Sequence, residues 1–247
     1  MTAKAPYRRV LLKLSGEVFG GRGGQGLSGR MLGQLADEVK AVHTLGVQLG
    51  IVIGGGNFIR GGRNKLEAIR RTTGDDMGML ATVINALAFR DFLNDRGLNA
   101  EVLSALEMPK VAERFTARTA DAKLAEGAIL IFAAGTGNPF FTTDTGAALR
   151  ALEVKADLYL KATNVDGIYS SDPDHNPKAK RFDTLSYQSC LRRRLGVMDT
   201  AAFELCAKGQ LPFIVFDVRE KGNILKAVRG EKIGTYVGPG RRPSSGR

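Results

Sequence analysis

Along this chain, short runs of valine, isoleucine, leucine and phenylalanine alternate with stretches whose apolar residues recur at helical spacing. A run that is apolar throughout suits a strand covered on both faces. Strands that alternate with helices build βαβ units around a largely parallel sheet. The strands read as 8–14, 47–53, 100–103, 128–133, 156–161, 213–216 and 234–237. One helix starts near Ser28, a good N-cap, and ends at Leu45-Gly46 with glycine just past its end. A second spans 75–96 and stops at Gly97, and others cover 144–154, 185–195, 199–208 and 221–229. The 75–96 helix is apolar on two faces, Met77, Leu80, Ile84, Leu87 and Ala88 on one and Met79, Val83, Ala86 and Leu93 on the other. Such a helix is buried on more than one side, and a partner subunit is one way to do that. With no internal repeat and no clear linker, residues 1–237 read as one domain, followed by a basic, disordered tail at 238–247.

The chemistry gathers where strands end. Glycine supplies 31 of 247 residues, above the usual share of about 7%. In Ile51-Val-Ile-Gly-Gly-Gly-Asn57 a buried strand runs straight into three glycines, with Arg60 and Arg63 close behind. Glycine tolerates φ > 0 and lets backbone approach a ligand, so successive N–H groups can form an anion-binding concavity. Ligands of open α/β sheets bind at this end of the strands. Lys13-Leu-Ser-Gly-Glu17 ends the first strand with a lysine among apolar residues, where it would point a cation into the same crevice. Between Ala133 and Asp144, Gly-Thr-Gly-Asn-Pro-Phe-Phe-Thr-Thr offers glycines, hydroxyls and an amide. Asp144 then reads either as an N-cap or as an organiser of cations, lysines or magnesium. A fourth strand ends in Lys161-Ala-Thr-Asn-Val-Asp-Gly167, with Ser-Ser-Asp172-Pro173 beyond.

Several functions are disfavoured. Gly21-Arg-Gly-Gly-Gln-Gly26 satisfies G-x-G-x-x-G, but it does not open off the first strand and no acid closes the next one, so a mobile loop is the better reading than a dinucleotide site. A P-loop and the protein-kinase signatures are absent from the sequence. The 36 Lys and Arg against 25 Asp and Glu give a net charge of +11. These cations are scattered, with no Trp and no aromatic reading strand, so the charge suits anionic small molecules better than nucleic acid. Two cysteines exclude a disulfide framework, and two histidines leave no case for a zinc site or a Ser-His-Asp triad. No run of about 18 uncharged apolar residues spans a membrane, and the N-terminus is a poor secretion signal, so a cytoplasmic location is expected.

Taken together, Lys13–Glu17, Ile53–Asn57, the 74–82 stretch Gly-Asp-Asp-Met-Gly-Met-Leu-Ala-Thr, Gly135–Asp144, Lys161–Gly167 and Val197-Met-Asp199 closely resemble the bacterial uridylate kinases of the amino-acid kinase superfamily. The resemblance runs from about residue 8 to 237. It implies a three-layer α/β/α sandwich with a mostly parallel central sheet, the N-terminal half holding UMP and the C-terminal half ATP. By the same resemblance, Lys13, Leu14, Ser15 and Gly16 meet the ATP phosphates, with Gly56 and Arg60 beside the transferring group. Thr163, Tyr169 and Asp172 line the ATP base and sugar pocket. Gly55 faces UMP, Asp75 accepts from its ribose hydroxyls, and Thr136, Gly137, Asn138, Pro139, Phe140, Phe141, Thr142 and Thr143 wrap its uracil and phosphate. Asp144 holds Lys13 and Lys161 in position, while Asp199 suits an N-cap of the following helix equally well. The family is a homohexamer activated by GTP and inhibited by UTP. Gly21, Arg22, Gly23, Gly24, Gln25 and Gly26 match the region linked to GTP.

The implied reaction is ATP-dependent phosphorylation of UMP to UDP in de novo pyrimidine synthesis, with Mg²⁺ accompanying ATP and no general base. The competing readings are an oxidoreductase of the NAD type, a nucleic-acid-binding protein, and a related kinase with an amino acid or carbamate as acceptor.

Overall fold

The apolar runs form the centre of the molecule. In the computed structural model, which describes residues 5–59, 68–173, 175–196, 198–240 and 242, nine strands make one sheet. They are β1 (Arg9–Leu14), β2 (Gln48–Ile53), β3 (Ala100–Ser104), β4 (Glu113–Arg114), β5 (Ile129–Ala133), β6 (Leu158–Thr163), β7 (Thr184–Leu185), β8 (Phe213–Asp217) and β9 (Thr235–Val237). Their spatial order is β4-β3-β5-β2-β1-β6-β8-β9-β7, with β1 at the middle. Every pairing is parallel except β8 with β9.

Among the described residues eight α-helices cover the sheet: α1 (Gly16–Phe19), α2 (Gly29–His43), α3 (Arg71–Asn94), α4 (Ala117–Ala125), α5 (Thr143–Glu153), α6 (Tyr187–Arg193), α7 (Thr200–Lys208) and α8 (Asn223–Val228). The even-numbered residues of β1, Val10, Leu12 and Leu14, share a core with α2, α3 and α8. Leu11 faces the other way, into a second core with α4, α5, α6 and α7. The result is three layers, as expected. Because α2 crosses from β1 to β2 on one face and α5 from β5 to β6 on the other, the chain winds outward from β1 in both directions. A crevice therefore opens at the carboxyl ends of β1 and its neighbours.

Several boundaries differ from the sequence reading. Helix α3 begins at Arg71 rather than 75, and α4 and the two-residue strands β4 and β7 had no clear signal. Helix α4 buries only Ala120 and Leu124, too thin an apolar stripe to register as a period. The Ser28 cap is as read, its hydroxyl accepting from the Met31 N–H. The turn at 192–194 is exposed, as its three arginines imply. In the tail, Arg242 is described and donates from Nη1 to the Ile233 carbonyl at 2.8 Å. Among the described residues no helix is long and apolar enough to cross a membrane.

Candidate active site

Parallel pairing of β1 with β6 sets Lys13 directly beside Lys161. Each follows an inward-pointing residue of the α5 side, Leu11 and Tyr159, by two positions. Strand alternation therefore sends both lysines to that same face. Asp144 lies in the first turn of α5, aimed back at them. Lys13 Nζ is 3.0 Å from Asp144 Oδ1, and Lys161 pairs with Oδ2. One carboxylate thus bridges two ammonium groups, all three side chains between 11% and 14% exposed. Burial alone would raise the Asp144 pKa, but the two ammonium charges outweigh it and hold the carboxyl below its ordinary value. Burial dominates at Lys161, whose pKa falls despite its partner.

Asp144 is not the N-cap of α5. That position belongs to Thr142, whose hydroxyl oxygen accepts from the Asp144 and Thr145 N–H groups at 3.1 and 3.2 Å. Capping by the threonine leaves the Asp144 carboxylate to the lysines, so the cation-organising reading is the one the geometry supports. Asp199 does cap α7, accepting from the Ala202 N–H at 3.1 Å. It also accepts from the hydroxyls of Thr142 and, at 2.8 Å, Thr145. The start of α7 is thereby fastened to the start of α5.

The loop leading into α5 is strained in a controlled way. Gly135 and Gly137 are left-handed, and so are Ala134 (φ 62°) and Phe140 (φ 72°). Left-handed non-glycine residues cost about 1–3 kcal/mol each and persist only when neighbours hold them. Here the Ala134 N–H donates to Thr82 Oγ1 at 2.7 Å, and the Phe140 N–H donates to Asp75 Oδ2 at 2.8 Å. Arg150, buried over the Phe115 ring, donates to the Gly135 carbonyl at 3.1 Å. Asp75 is thus joined to the 136–143 loop it was expected to work with, and Arg71 pairs with it at 2.9 Å. Phe140 and Phe141 remain 65% and 52% exposed at the rim.

For Gly54, Gly55 and Gly56 the reason for glycine is corrected. None has a positive φ. A Cβ on Gly55 would lie 2.7 Å from the Gly78 carbonyl oxygen of α3, and one on Gly16 would lie 2.7 Å from the Gly56 nitrogen. Close packing of three backbone segments requires these glycines. Gly56 is different, because its Cβ would find nothing nearer than Glu17 Cγ at 3.6 Å. Ser15 precedes α1 without a side-chain capping bond, and Leu14 is buried. Arg60 and Arg63 lie outside the described residues.

Thr163 ends β6, opposite Asp217 of β8. Tyr169 and Asp172 sit on the following loop, where the Tyr169 hydroxyl donates to Asp166 and Asp172 pairs with His175. That loop is anchored by Thr235 Oγ1, which accepts from the Ile168 N–H at 2.8 Å. The 21–26 loop begins as a 3₁₀ turn at Gly21–Gly23, with Gly21, Gly24 and Gly26 left-handed. It is docked on the glycine turn, its Gly26 N–H donating to the Asn57 carbonyl at 3.0 Å. Sequence reasoning missed Asn85, Thr82 and Arg150. The only signal was a polar residue interrupting the apolar surface of a helix.

No cluster of three or more His, Cys, Asp or Glu side chains that could hold a metal ion occurs among the described residues. Residues 8–217 match the amino acid kinase family. Among solved structures, a UMP kinase from Bacillus anthracis is 37% identical, with 94% of this chain and 96% of that one covered and a TM-score of 0.91. A UMP kinase from Ureaplasma parvum is 33% identical, with 94% and 99% covered and a TM-score of 0.89. A uridylate kinase from Archaeoglobus fulgidus is 27% identical, with 92% and 99% covered and a TM-score of 0.71.

Proposed function

This chain belongs to the amino acid kinase family, and on that premise we propose that it transfers the terminal phosphoryl group of ATP to UMP, giving ADP and UDP for pyrimidine nucleotide synthesis. The observation that carries the reading is the Lys13–Asp144–Lys161 bridge at the ends of adjacent central strands. The near full-length likeness to two UMP kinases supports the acceptor.

Two polyanions must meet before an in-line displacement, so the site's work is to cancel charge without delivering a proton. Lys13 and Lys161 supply paired positive charge, and Asp144 bridges and aims both. The backbone N–H groups of Gly16 and Gly56 add donors, and Arg60 a further cation beside the transferring group. Magnesium enters with ATP as part of the substrate, in keeping with its preference for phosphate oxygens and water over an all-protein cage. The acceptor is a phosphate oxygen of UMP, whose second ionisation near pH 6 leaves it charged at neutrality. It attacks the γ-phosphorus, the bond to the β-phosphate oxygen breaks, and that oxygen leaves on ADP.

In this reading Leu14 and Ser15 join Lys13 at the ATP phosphates, while Thr163, Tyr169 and Asp172 hold its base and sugar. Gly55, Asp75 and residues 136–143 hold UMP. The half-open apolar face of α3, with Leu80 48% and Ile84 47% exposed, supports self-association, read as a homohexamer. The same reading gives GTP and UTP as effectors and the cytoplasm as location. A coupled ADP-release assay with UMP, CMP, dTMP and glutamate tests the acceptor. UMP should be preferred, and activity with another acceptor but none with UMP overturns the assignment.

A further inference from the structure

Asn85 is a fully buried amide on the core-facing side of α3, among Ala81, Val83, Ala86 and Phe89. An apolar residue there would avoid the cost of desolvating an amide. Its partner is Asn57, 4% exposed, which follows directly on Gly54–Gly56. The two side chains form a reciprocal pair, each Nδ2 donating to the other's Oδ1 at 2.8 Å. The remaining donors are committed as well. Asn85 Nδ2 donates to the Gly54 carbonyl at 2.7 Å, and Asn57 Nδ2 donates to the Gly26 carbonyl at 2.6 Å. Every N–H and both oxygens are used, and the two carbonyl partners fix which end of each amide is nitrogen. An aspartate at either position would set oxygen against oxygen, and an alanine would strand the opposite amide.

This arrangement controls a peptide at the centre of the site. The Gly54–Gly55 bond is trans, so a carbonyl clamped on Asn85 turns the Gly55 N–H the opposite way. Gly55 is buried, yet among the described residues neither its N–H nor that of Gly56 has an acceptor. A buried donor with no acceptor among the described residues is preorganised for an anion. Resting on the kinase reading above, we propose that Asn57 and Asn85 are positioning residues for phosphoryl transfer. They fix the Gly54–Gly55 peptide so that its N–H meets the acceptor phosphate, and they tie the 21–26 loop to that same peptide.

The test uses Asn57→Ala, Asn85→Ala and the double variant. Each is assayed on whichever of UMP, CMP, dTMP and glutamate the unmodified enzyme uses best. Each single change should lower kcat about ten- to hundredfold, the loss expected when a reacting group is misplaced by about 1 Å. The double variant should lose no more than the worse single one, because either change removes the whole pair. Separately, inorganic phosphate is titrated into perdeuterated protein labelled at glycine nitrogen. The Gly55 amide resonance should move in the unmodified protein and not in the variants. A lowered Tm with unchanged kcat per folded molecule, losses that multiply in the double variant, or equal phosphate shifts in all proteins would overturn the proposal. If Asn85→Ala does not fold, Asn57→Ser at the edge of the pair decides by the same readouts. A preferred acceptor other than UMP would remove the UMP assignment, while the kcat ratios and phosphate titration still decide the role of the pair.

Discussion

Replacing Asp144 by asparagine keeps the shape of the side chain and removes one charge from between two ammonium groups. At the 3.0 Å separating Lys13 Nζ from Oδ1, unit charges at an effective dielectric of about 20 attract by about 5–6 kcal/mol. That is an upper figure, because the carboxylate charge is spread over two oxygens shared by two lysines. Crediting each lysine with about half leaves about 2.7 kcal/mol of attraction lost at each. The lysines, adjacent on neighbouring strands, then repel with only a neutral amide between them. Lys161 already sits below its ordinary value through burial, and losing the carboxylate lowers it further. The expected result has two parts. At neutral pH kcat falls about 10²–10³-fold, the scale for losing one preorganised electrostatic contact at a transition state. The alkaline limb of the pH–kcat profile moves to lower pH, because Lys161, its pKa already lowered by burial, loses the opposing charge that raised it. The assay is coupled ADP release at saturating substrates from pH 6 to 10, with folding checked at each pH by circular dichroism. A variant that keeps the same alkaline limb and loses less than about threefold in kcat would refute the bridge as the source of lysine charge.

The two central glycines should separate packing from chemistry. Gly55→Ala forces a Cβ to 2.7 Å from the Gly78 carbonyl oxygen and 2.9 Å from Ala81 Cβ, and should cost about 1–3 kcal/mol of stability. Gly56→Ala meets only ordinary contacts, so its Tm should stay near normal while kcat/KM for ATP drops. Equal Tm values for the two variants would contradict this. Asp199→Ala removes a cap worth about 0.5–2 kcal/mol and releases Thr142 and Thr145 from α7. Differential scanning calorimetry should find Tm lower by several degrees, and kcat should fall about tenfold as the start of α5 loosens; an unchanged Tm refutes the fastening role. Acid should erase the advantage of Asp144. Its folded pKa lies below 3.8, so the stability it adds is complete above that value and lost as pH falls through the folded pKa. Urea titrations should show the gap between wild type and Asp144→Asn closing below about pH 4; a constant gap rules this out.

Strand identity was legible because a centrally placed parallel strand must be apolar on both faces, and β1, β2, β5, β6 and β8 all are. The same rule made Lys13 and Lys161 conspicuous, since a charge in such a strand needs a partner. What one-dimensional reading could not supply was register. Only the pairing of Val10 with Leu158 brings Lys13 beside Lys161, and only the handoff of the capping role to Thr142 frees Asp144 to sit between them. The glycines misled for a related reason. Glycine in sequence signals freedom of φ, but Gly54–Gly56 are in ordinary conformations, and Gly55 is glycine because α3 presses against it. The short or thinly apolar elements, α1, α4, β4 and β7, left no period long enough to detect, since their order comes from tertiary contact. Asn85 lies at the limit of such reading. A lone polar residue on an apolar helix is indistinguishable from an error of the pattern until its partner is known. That partner, Asn57, is 28 residues away and reaches it only once the strand end and helix have packed.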